Sequence, residues 1–359
     1  MAGTLLTDGV AHFINRNRNG GQMMRAPNAK RQGFSKVEVL VVMGVITVAV
    51  SLLLPALLDS RQTARARICT DRLRQIGLAL DGYHKSYQVF PSGAMYRTSK
   101  PRGTIPEGDQ LTDGRVPWSV QMLPFLEEAP RYHRFDVEGI FSARFDLRSA
   151  TPEPNRTQQY LPLVRLQCPD DPNSSAEATH SNYAACQGGG TAADALEQDR
   201  ATLPGFRLFF DNGIFYHNSR TTVDDIRDGL SNTLLVGESK YVGTPRTFGS
   251  DGAWWSWAAS IRGDRSNPSL FNISATVDPL NNPQNGEYTE QEIIHHRGVF
   301  EGAHHGGQQR VYGSWHPGGG YFCFADGAVR FLNEAIDLQT YRRLGTIADG
   351  MPEDGWNVQ

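Results

Sequence analysis

Histidine is concentrated near the carboxyl end of this 359-residue chain, where five of the ten histidines fall between positions 295 and 316. They are His295, His296, His304, His305 and His316. Imidazole binds zinc, copper and nickel, so the cluster raises the question of a metal site. Their spacing does not give the H-E-x-x-H helix of zinc enzymes, and the surrounding glycines are typical of loops. We therefore expect exposed or structural histidines and no metal, with Zn²⁺ or Ca²⁺ as the alternative.

Five aspartates lie beside turn-forming residues: Asp170, Asp171, Asp224, Asp225 and Asp228. Carboxylate oxygens are the ligands that Ca²⁺ prefers, but no segment has the spacing of a calcium-binding loop. Aspartate also bonds the backbone two residues ahead of itself and so stabilises turns. We expect this local role.

Motifs of catalysis are missing. The glycine runs at 188–190 and 318–320 do not belong to the phosphate-binding pattern G-x-x-x-x-G-K-[ST], and there is no G-x-S-x-G nucleophile turn. Three tryptophans, Trp254, Trp255 and Trp257, could stack on a sugar or fill the core. We expect Trp254 and Trp257 in the core, no catalytic residue and no enzyme activity.

Charge and cysteine content narrow the class of protein. The net charge of −3 comes from 35 basic and 38 acidic side chains, without the basic excess of nucleic-acid-binding domains. The four cysteines are Cys69, Cys168, Cys186 and Cys323, and none forms a C-x-x-C pair typical of structural zinc. Outside the cytoplasm they allow two disulfides in three connectivities.

One apolar segment stands out. Residues 39–58 carry no charge over 20 positions, which as a helix span about 30 Å, the thickness of a bilayer core. The segment is too long for an ordinary secretory signal. Residues 1–33 carry five basic side chains and one acidic one, which are Arg16, Arg18, Arg25, Lys30, Arg31 and Asp8. Three arginines follow the segment: Arg61, Arg65 and Arg67. The basic excess before the segment predicts a cytoplasmic amino terminus and an extracytoplasmic carboxyl part. The three arginines after the segment favour the opposite orientation.

Glu38 lies at the leading edge of this segment, where a carboxylate is costly unless it has a partner. The stretch "RQGFSKVEVLVVMGVITVAVSLLLPALL" resembles the amino terminus of type IV prepilins and pseudopilins. The resemblance implies that a prepilin peptidase cuts after Gly33 and methylates the new amine of Phe34. Glu38 would then pair with the terminal amine of a neighbouring subunit or of its own chain. Lys36 stands where that family usually has an apolar residue.

A continuous helix is predicted from about residue 35 to 88. Apolar residues recur every three or four positions and mark one face: Leu73, Ile76, Leu80, Tyr83 and Tyr87. The resemblance to pilins implies an α+β fold in which a long transmembrane spine helix packs on an antiparallel β-rich head. The domains would be a leader at 1–33, the spine at 34–90 and the head at 91–359.

The sequence of the head predicts strands joined by loops. We predict hairpins at 205–216 and 321–332, with turns at 211–213 and at Asp326-Gly327. We also predict a buried strand at 233–236, an aromatic strand near 252–260 and a short helix at 338–344. Stretches at 97–115, 149–160 and 262–290 are rich in glycine, proline and polar residues and indicate loops.

A wider resemblance covers residues 33–350. The blocks "CTDRLRQIGLALDGYHKSYQVFPSG", "CPDDP", "SNYA", "DGLSNTLLVGES" and "HPGGGYFCFADGAVRFLNEAID" occur in this order and resemble the DUF1559 family, abundant in planctomycetes. His316, nine residues, Asp326 and Gly327 match its closing H-x9-DG motif, and we expect His316 to bond near that hairpin turn. The resemblance implies a Cys69–Cys168 disulfide, which leaves Cys186 to pair with Cys323.

Together these features predict a pilin-like structural subunit in the inner membrane, with an extracytoplasmic head, in a surface or secretion-linked filament. Its expected partners are the prepilin peptidase, other pilin-like subunits and membrane lipid, and not nucleic acid. The alternative is an anchored extracytoplasmic solute- or glycan-binding protein that does not polymerise, since the family has also carried a solute-binding label.

Overall fold

The computed structural model describes residues 35–95, 114–141, 154–172, 174–196, 208–240, 256–262, 269–270, 272–281 and 312–350. The chain divides into two compact units, Met1–Leu57 and Leu58–Gln359. Several residues for which the sequence made a prediction lie outside the described ranges. They are the leader with Gly33, and Phe34, Trp254, Trp255, His295, His296, His304 and His305.

The first helix, α1, runs without a break from Lys36–Tyr87 over 52 residues, which confirms the predicted helix. Its start is fixed by a reciprocal cap. The backbone N–H of Ser35 donates to Glu38 Oε2 at 2.8 Å, and the backbone N–H of Glu38 donates to Ser35 Oγ at 3.2 Å. Ser-x-x-Glu is the capping-box signature, so Glu38 has a helix-capping role that the sequence analysis missed.

In the first unit, α1 presents its apolar side chains to the outside. The exposed fraction is 69% for Leu40, 65% for Val45 and 58% for Leu57, and the other large apolar side chains described in this stretch are similar. Among the residues that the structure describes, no helix is found that is long and apolar enough to cross a membrane.

In the second unit, α1 is buried along the predicted face. Leu73, Ile76 and Leu80 are fully buried, while Tyr87 is 60% exposed, so the buried stripe ends before Tyr87. A Cβ atom at Gly77 would lie 2.6 Å from Cys323 Sγ. This glycine therefore lets the helix approach the sheet closely.

Five strands form the main sheet, and the order across it is β5-β1-β2-β6-β7. They are β1 (Tyr183–Gly189), β2 (Leu234–Glu238), β5 (Ile273–Thr276), β6 (Gly319–Phe324) and β7 (Val329–Asn333). Neighbours pair antiparallel except β1 and β5, which are parallel. A separate two-stranded ribbon joins β3 (Ile261–Arg262) to β4 (Ser269–Leu270). The fold is thus a mixed α/β structure with a mostly antiparallel sheet.

Both faces of the sheet are covered in the second unit. On β1, Ala185 belongs to the apolar cluster that contains Leu73 and Ile76 of α1, whereas Cys186 belongs to a second cluster. Successive strand residues point to opposite faces, so the two clusters lie on opposite sides. The second is closed by Leu338–Leu344, here α5.

The remaining helices are short: α2 (Trp118–Gln121), α3 (Ala129–Tyr132) and α4 (Asn155–Gln159). The hairpin of β6 and β7 and the terminal helix α5 confirm their predictions. Buried Trp257 also confirms its core assignment.

The predicted hairpin at 205–216 is wrong for its described part, residues 208–216, which contains no strand. Its backbone bonds to β1 instead of to itself. Gln187 Oε1 accepts from Phe210 N at 3.3 Å, Gln187 Nε2 donates to Leu208 O at 3.1 Å, and Gly213 N donates to Gln187 O at 3.1 Å.

Three other predictions are corrected. The described part of the aromatic segment, residues 256–260, is a turn and no strand. The loop predicted at 262–290 contains β5, and the one at 149–160 contains α4. Strand β5 pairs with β1, which is far from it in the sequence. These long-range hydrogen bonds outweigh the turn-forming residues that flank β5.

Candidate functional site

The cysteines divide into one disulfide and two thiols. Cys69 on α1 and Cys168 are joined across a sequence separation of 99, as the resemblance implied. The predicted second pair is wrong, because Cys186 and Cys323 are separate buried thiols. They belong to clusters on opposite faces and to strands two positions apart, about 10 Å, which is too far for a disulfide. Burial raises the pKa of Cys186 to about 11 and that of Cys323 to about 12.

His316 lies beside the disulfide, just before β6. Its Nδ1 is 2.8 Å from Asp170 Oδ2 and its Nε2 is 3.2 Å from Glu238 Oε1. The same Nε2 is 3.7 Å from Cys168 Sγ. The side chain is only 3% exposed. An imidazole between two carboxylates is held in a fixed orientation by both ring nitrogens.

This placement corrects the predicted role of His316 at the hairpin turn. The whole of β6, about 20 Å of strand, separates His316 from Asp326 and Gly327. At the turn, Asp326 Oδ1 accepts from Ala328 N at 2.9 Å and Gly327 has a φ of 82°. The two ends of the H-x9-DG motif therefore serve different ends of one hairpin.

Glu238 closes strand β2 and is 2% exposed. Its Oε2 accepts from Ser314 Oγ at 2.6 Å and from Tyr321 N at 2.9 Å. Its Oε1 is buried and lies 3.2 Å from His316 Nε2, with which it forms an ion pair when the imidazole is protonated. The sequence analysis missed Glu238. A glutamate that ends the apolar strand L-L-V-G-E was the available signal, since glutamate is rarely buried unless paired.

The "CPDDP" segment supplies the other acid. Asp170 Oδ1 is 3.5 Å from an Arg65 guanidinium nitrogen on α1. Asp171 Oδ2 accepts from Asn182 Nδ2 at 2.6 Å and lies 3.2 Å from His180 Nε2. These two aspartates therefore make contacts with distant residues that the turn prediction did not include.

Of the later aspartates, Asp225 has a local role, but in a capping box and not in the predicted Asx turn. Its Oδ2 accepts from Thr222 N and from Thr222 Oγ1, both at 2.8 Å. These two bonds lower the pKa of Asp225. Asp228 instead accepts from Asp349 N at 2.8 Å and from Gly350 N at 2.9 Å, and so anchors the end of the chain after α5.

The electrostatics of the cluster favour the charged form of His316. Burial is the largest influence and lowers the pKa of His316. The bond to Glu238 and the charges of Glu238 and Asp170 together outweigh burial and raise this pKa above its ordinary value. Burial followed by the same two charges raises the pKa of Tyr321.

An open groove of about 440 Å³ reaches the cluster from the surface. It is lined by Gln62, Thr63, Ala66, His316, Pro317, Tyr321 and Phe331. The groove offers two aromatic rings and His316 to a small ligand. The two carboxylates and the disulfide do not line it.

The chain matches the family described as "Protein of unknown function (DUF1559)" over residues 59–339. The match contains the disulfide, both carboxylates and His316, and it begins after the apolar run. No curated protein and no solved structure matches the chain. Because the matched residues make up most of its length, the chain belongs to the DUF1559 family.

Proposed function

We propose that this protein is a membrane-anchored, pilin-like structural subunit. The single observation that carries the proposal is the amino-terminal half of α1, whose described apolar side chains are 47–69% exposed from Val37 to Leu57. Exposed apolar surface of this extent marks a contact with lipid or with other proteins. Bilayer lipid before assembly and the same helix of other pilin-like subunits after it are the proposed contacts.

The proposal includes processing between Gly33 and Phe34 by a prepilin peptidase, with methylation of the new amine. Glu38 remains useful after such a cut. Its Oε2 already accepts from Ser35 N, and an ionised carboxylate offers about four lone-pair sites. It can therefore cap its own helix and still accept a terminal ammonium from the same or a neighbouring chain. The head would lie outside the cytoplasmic membrane, and the proposed role is structural and not catalytic.

The mass of the mature protein tests the processing step. We expect loss of residues 1–33 and the mass of one methyl group on Phe34. A mature chain that begins at Met1, or is cut beyond residue 55, contradicts the proposal.

The charge of Glu38 tests the assembly step. Glu38→Gln keeps an oxygen that can accept from Ser35 N but cannot form an ion pair, so we expect helix α1 to persist and filaments to be lost. The matched control is Glu127→Gln, since Glu127 is 84% exposed on the head. Normal filaments from Glu38→Gln would refute the role of its charge.

One observation favours the second candidate, an anchored extracytoplasmic solute- or glycan-binding protein. The 440 Å³ groove presents Tyr321 and Phe331, rings on which a sugar or small solute could stack. This candidate expects a small saccharide to raise the melting temperature of the wild-type chain and not of Phe331→Ala, with Glu38 dispensable. No change with any saccharide tested would count against it.

A further inference from the structure

Four buried side chains from four distant parts of the sequence meet behind the groove. One ligand atom from each of Cys69, Cys168, Glu238 and His316 lies within 4.8 Å of the other three. Two sulfurs, an imidazole nitrogen and a carboxylate oxygen are the donors of tetrahedral zinc sites. The sequence contains no C-x-x-C zinc motif, and local spacing cannot reveal a set of ligands spread over 248 positions.

Two separations among these atoms match those around one zinc ion. With Zn–S of about 2.3 Å and Zn–N or Zn–O of about 2.0–2.1 Å, tetrahedral angles place S and N about 3.6 Å apart and N and O about 3.4 Å apart. Cys168 Sγ and His316 Nε2 are 3.7 Å apart, and His316 Nε2 and Glu238 Oε1 are 3.2 Å apart. The two sulfurs, which are bonded to each other, would have to separate.

The surroundings orient these groups as the outer contacts of a metal site do. A metal-binding histidine usually donates its other ring N–H to a carboxylate, and His316 Nδ1 lies 2.8 Å from Asp170 Oδ2. Glu238 Oε2 is fixed by Ser314 and Tyr321, so its Oε1 is left to face the sulfurs and the imidazole. The backbone N–H of Cys168 donates to Asn182 Oδ1 at 2.7 Å.

Glu238 Oε1 is buried, with the residue 2% exposed, and it faces His316 Nε2 at 3.2 Å. A buried carboxylate needs a cation beside it. The imidazolium has that role in the oxidised chain, and Zn²⁺ would take it over when the imidazole gives up its Nε2 proton. The groove lined by Gln62, Thr63 and Ala66 reaches His316 from the surface and offers a route for the ion.

We propose that the reduced chain binds one Zn²⁺ ion through Cys69, Cys168, His316 and Glu238, and that the disulfide keeps this site closed. A phosphine or dithiol reductant supplies two electrons and breaks the S–S bond to give two thiols. With a phosphine, water provides the oxygen of the phosphine oxide and the two thiol protons. When the metal binds, both thiols and the imidazolium Nε2 release their protons to solvent.

The experiment uses the full-length chain in detergent with Cys186→Ala and Cys323→Ala, so that the site cysteines are the only ones left. The chain is reduced with a phosphine, freed of reductant without air and titrated with Co²⁺, which reports tetrahedral thiolate ligation by its visible and charge-transfer absorption. We expect one equivalent of Co²⁺ per chain after reduction, displaced by one equivalent of Zn²⁺, and no such absorption from the oxidised chain. Co²⁺ held by other histidines would appear equally in both forms.

Single substitutions test the ligands and their outer contact. We expect His316→Gln and Glu238→Gln to weaken Zn²⁺ binding by more than about 100-fold, Asp170→Asn by about 10- to 100-fold, and the exposed control Glu127→Gln not at all. Recovery of the Cys69–Cys168 disulfide on reoxidation shows that each variant folds. Absence of extra Co²⁺ binding after reduction, or unchanged Zn²⁺ affinity in both ligand variants, would overturn the proposal.

Discussion

The disulfide between Cys69 and Cys168 should be a large part of the stability of the second unit. It closes a loop with a sequence separation of 99, which in the unfolded chain removes about 4.7 kcal/mol of conformational entropy at 25 °C. A domain is typically stable by about 5–15 kcal/mol, so the chain without this bond should be marginal.

The perturbation is the double variant Cys69→Ala with Cys168→Ala, and the matched control is Cys186→Ala with Cys323→Ala. Both remove two buried sulfurs, but only the first removes a crosslink. The difference between the two variants therefore isolates the crosslink, and we expect the control to be more stable by about 4–5 kcal/mol. We also expect a steeper dependence on urea for the first variant, because its unfolded state exposes more surface.

The assay is urea unfolding of both full-length variants with chelator present, followed by tryptophan fluorescence. Trp118 and Trp257 are fully buried and report loss of the core. At a slope of about 3 kcal/mol/M, the two midpoints should differ by about 1.5 M urea. A difference in unfolding free energy below about 1.5 kcal/mol would refute the loop-closure reasoning.

Three further predictions concern single side chains. Leu73→Ala should lower the unfolding free energy by about 2–5 kcal/mol, because Leu73 is fully buried. Leu78 lies on the same helix but is 63% exposed, so Leu78→Ala should change this free energy by less than about 0.5 kcal/mol. Equal effects in urea melts would contradict the assigned face of α1. Burial lowers the pKa of His217 to about 3, so the unfolded chain takes up a proton at a higher pH than the folded chain does. The unfolding free energy should therefore fall by up to about 1.4 kcal/mol per pH unit below pH 6.5, as measured by urea unfolding from pH 7 to 5. His217→Gln should remove that slope, and a slope that persists would show that other groups cause it. Gly213→Ala should cost about 1–3 kcal/mol in the same melts, because its Cβ would overlap the backbone of Gln187, and no loss would mean that the segment moves away freely.

Elements with a strong local pattern could be predicted from the sequence. Helix α1 follows from continuous helical periodicity, and the β6–β7 hairpin from its Asp326-Gly327 turn. In both, the bonds that define the element join residues close in the chain. Strand β1 was not predicted, because its sequence Y-A-A-C-Q-G-G has neither alternation nor a run of branched residues. It becomes a strand by pairing with β2 and β5.

The candidate site was predictable only in pieces. His316 and the Cys69–Cys168 bond were expected from family resemblance, and Asp170 was noted for another role. Glu238 was missed, and nothing in the sequence placed it beside His316, which is 78 positions away. The contact arises because β2 and β6 pair antiparallel, which brings the end of one strand to the start of the other.

Sequence alone determined the uncharged run of residues 39–58 and the amphipathic half of α1, since each depends on spacing within a few turns of one helix. The Ser35–Glu38 cap is equally local, although it was recognised only in the structure. Tertiary structure alone decided which cysteines are bonded and which carboxylates hold His316. Those contacts follow from strand order and from which side of the sheet each side chain faces, and local sequence carries little information about either.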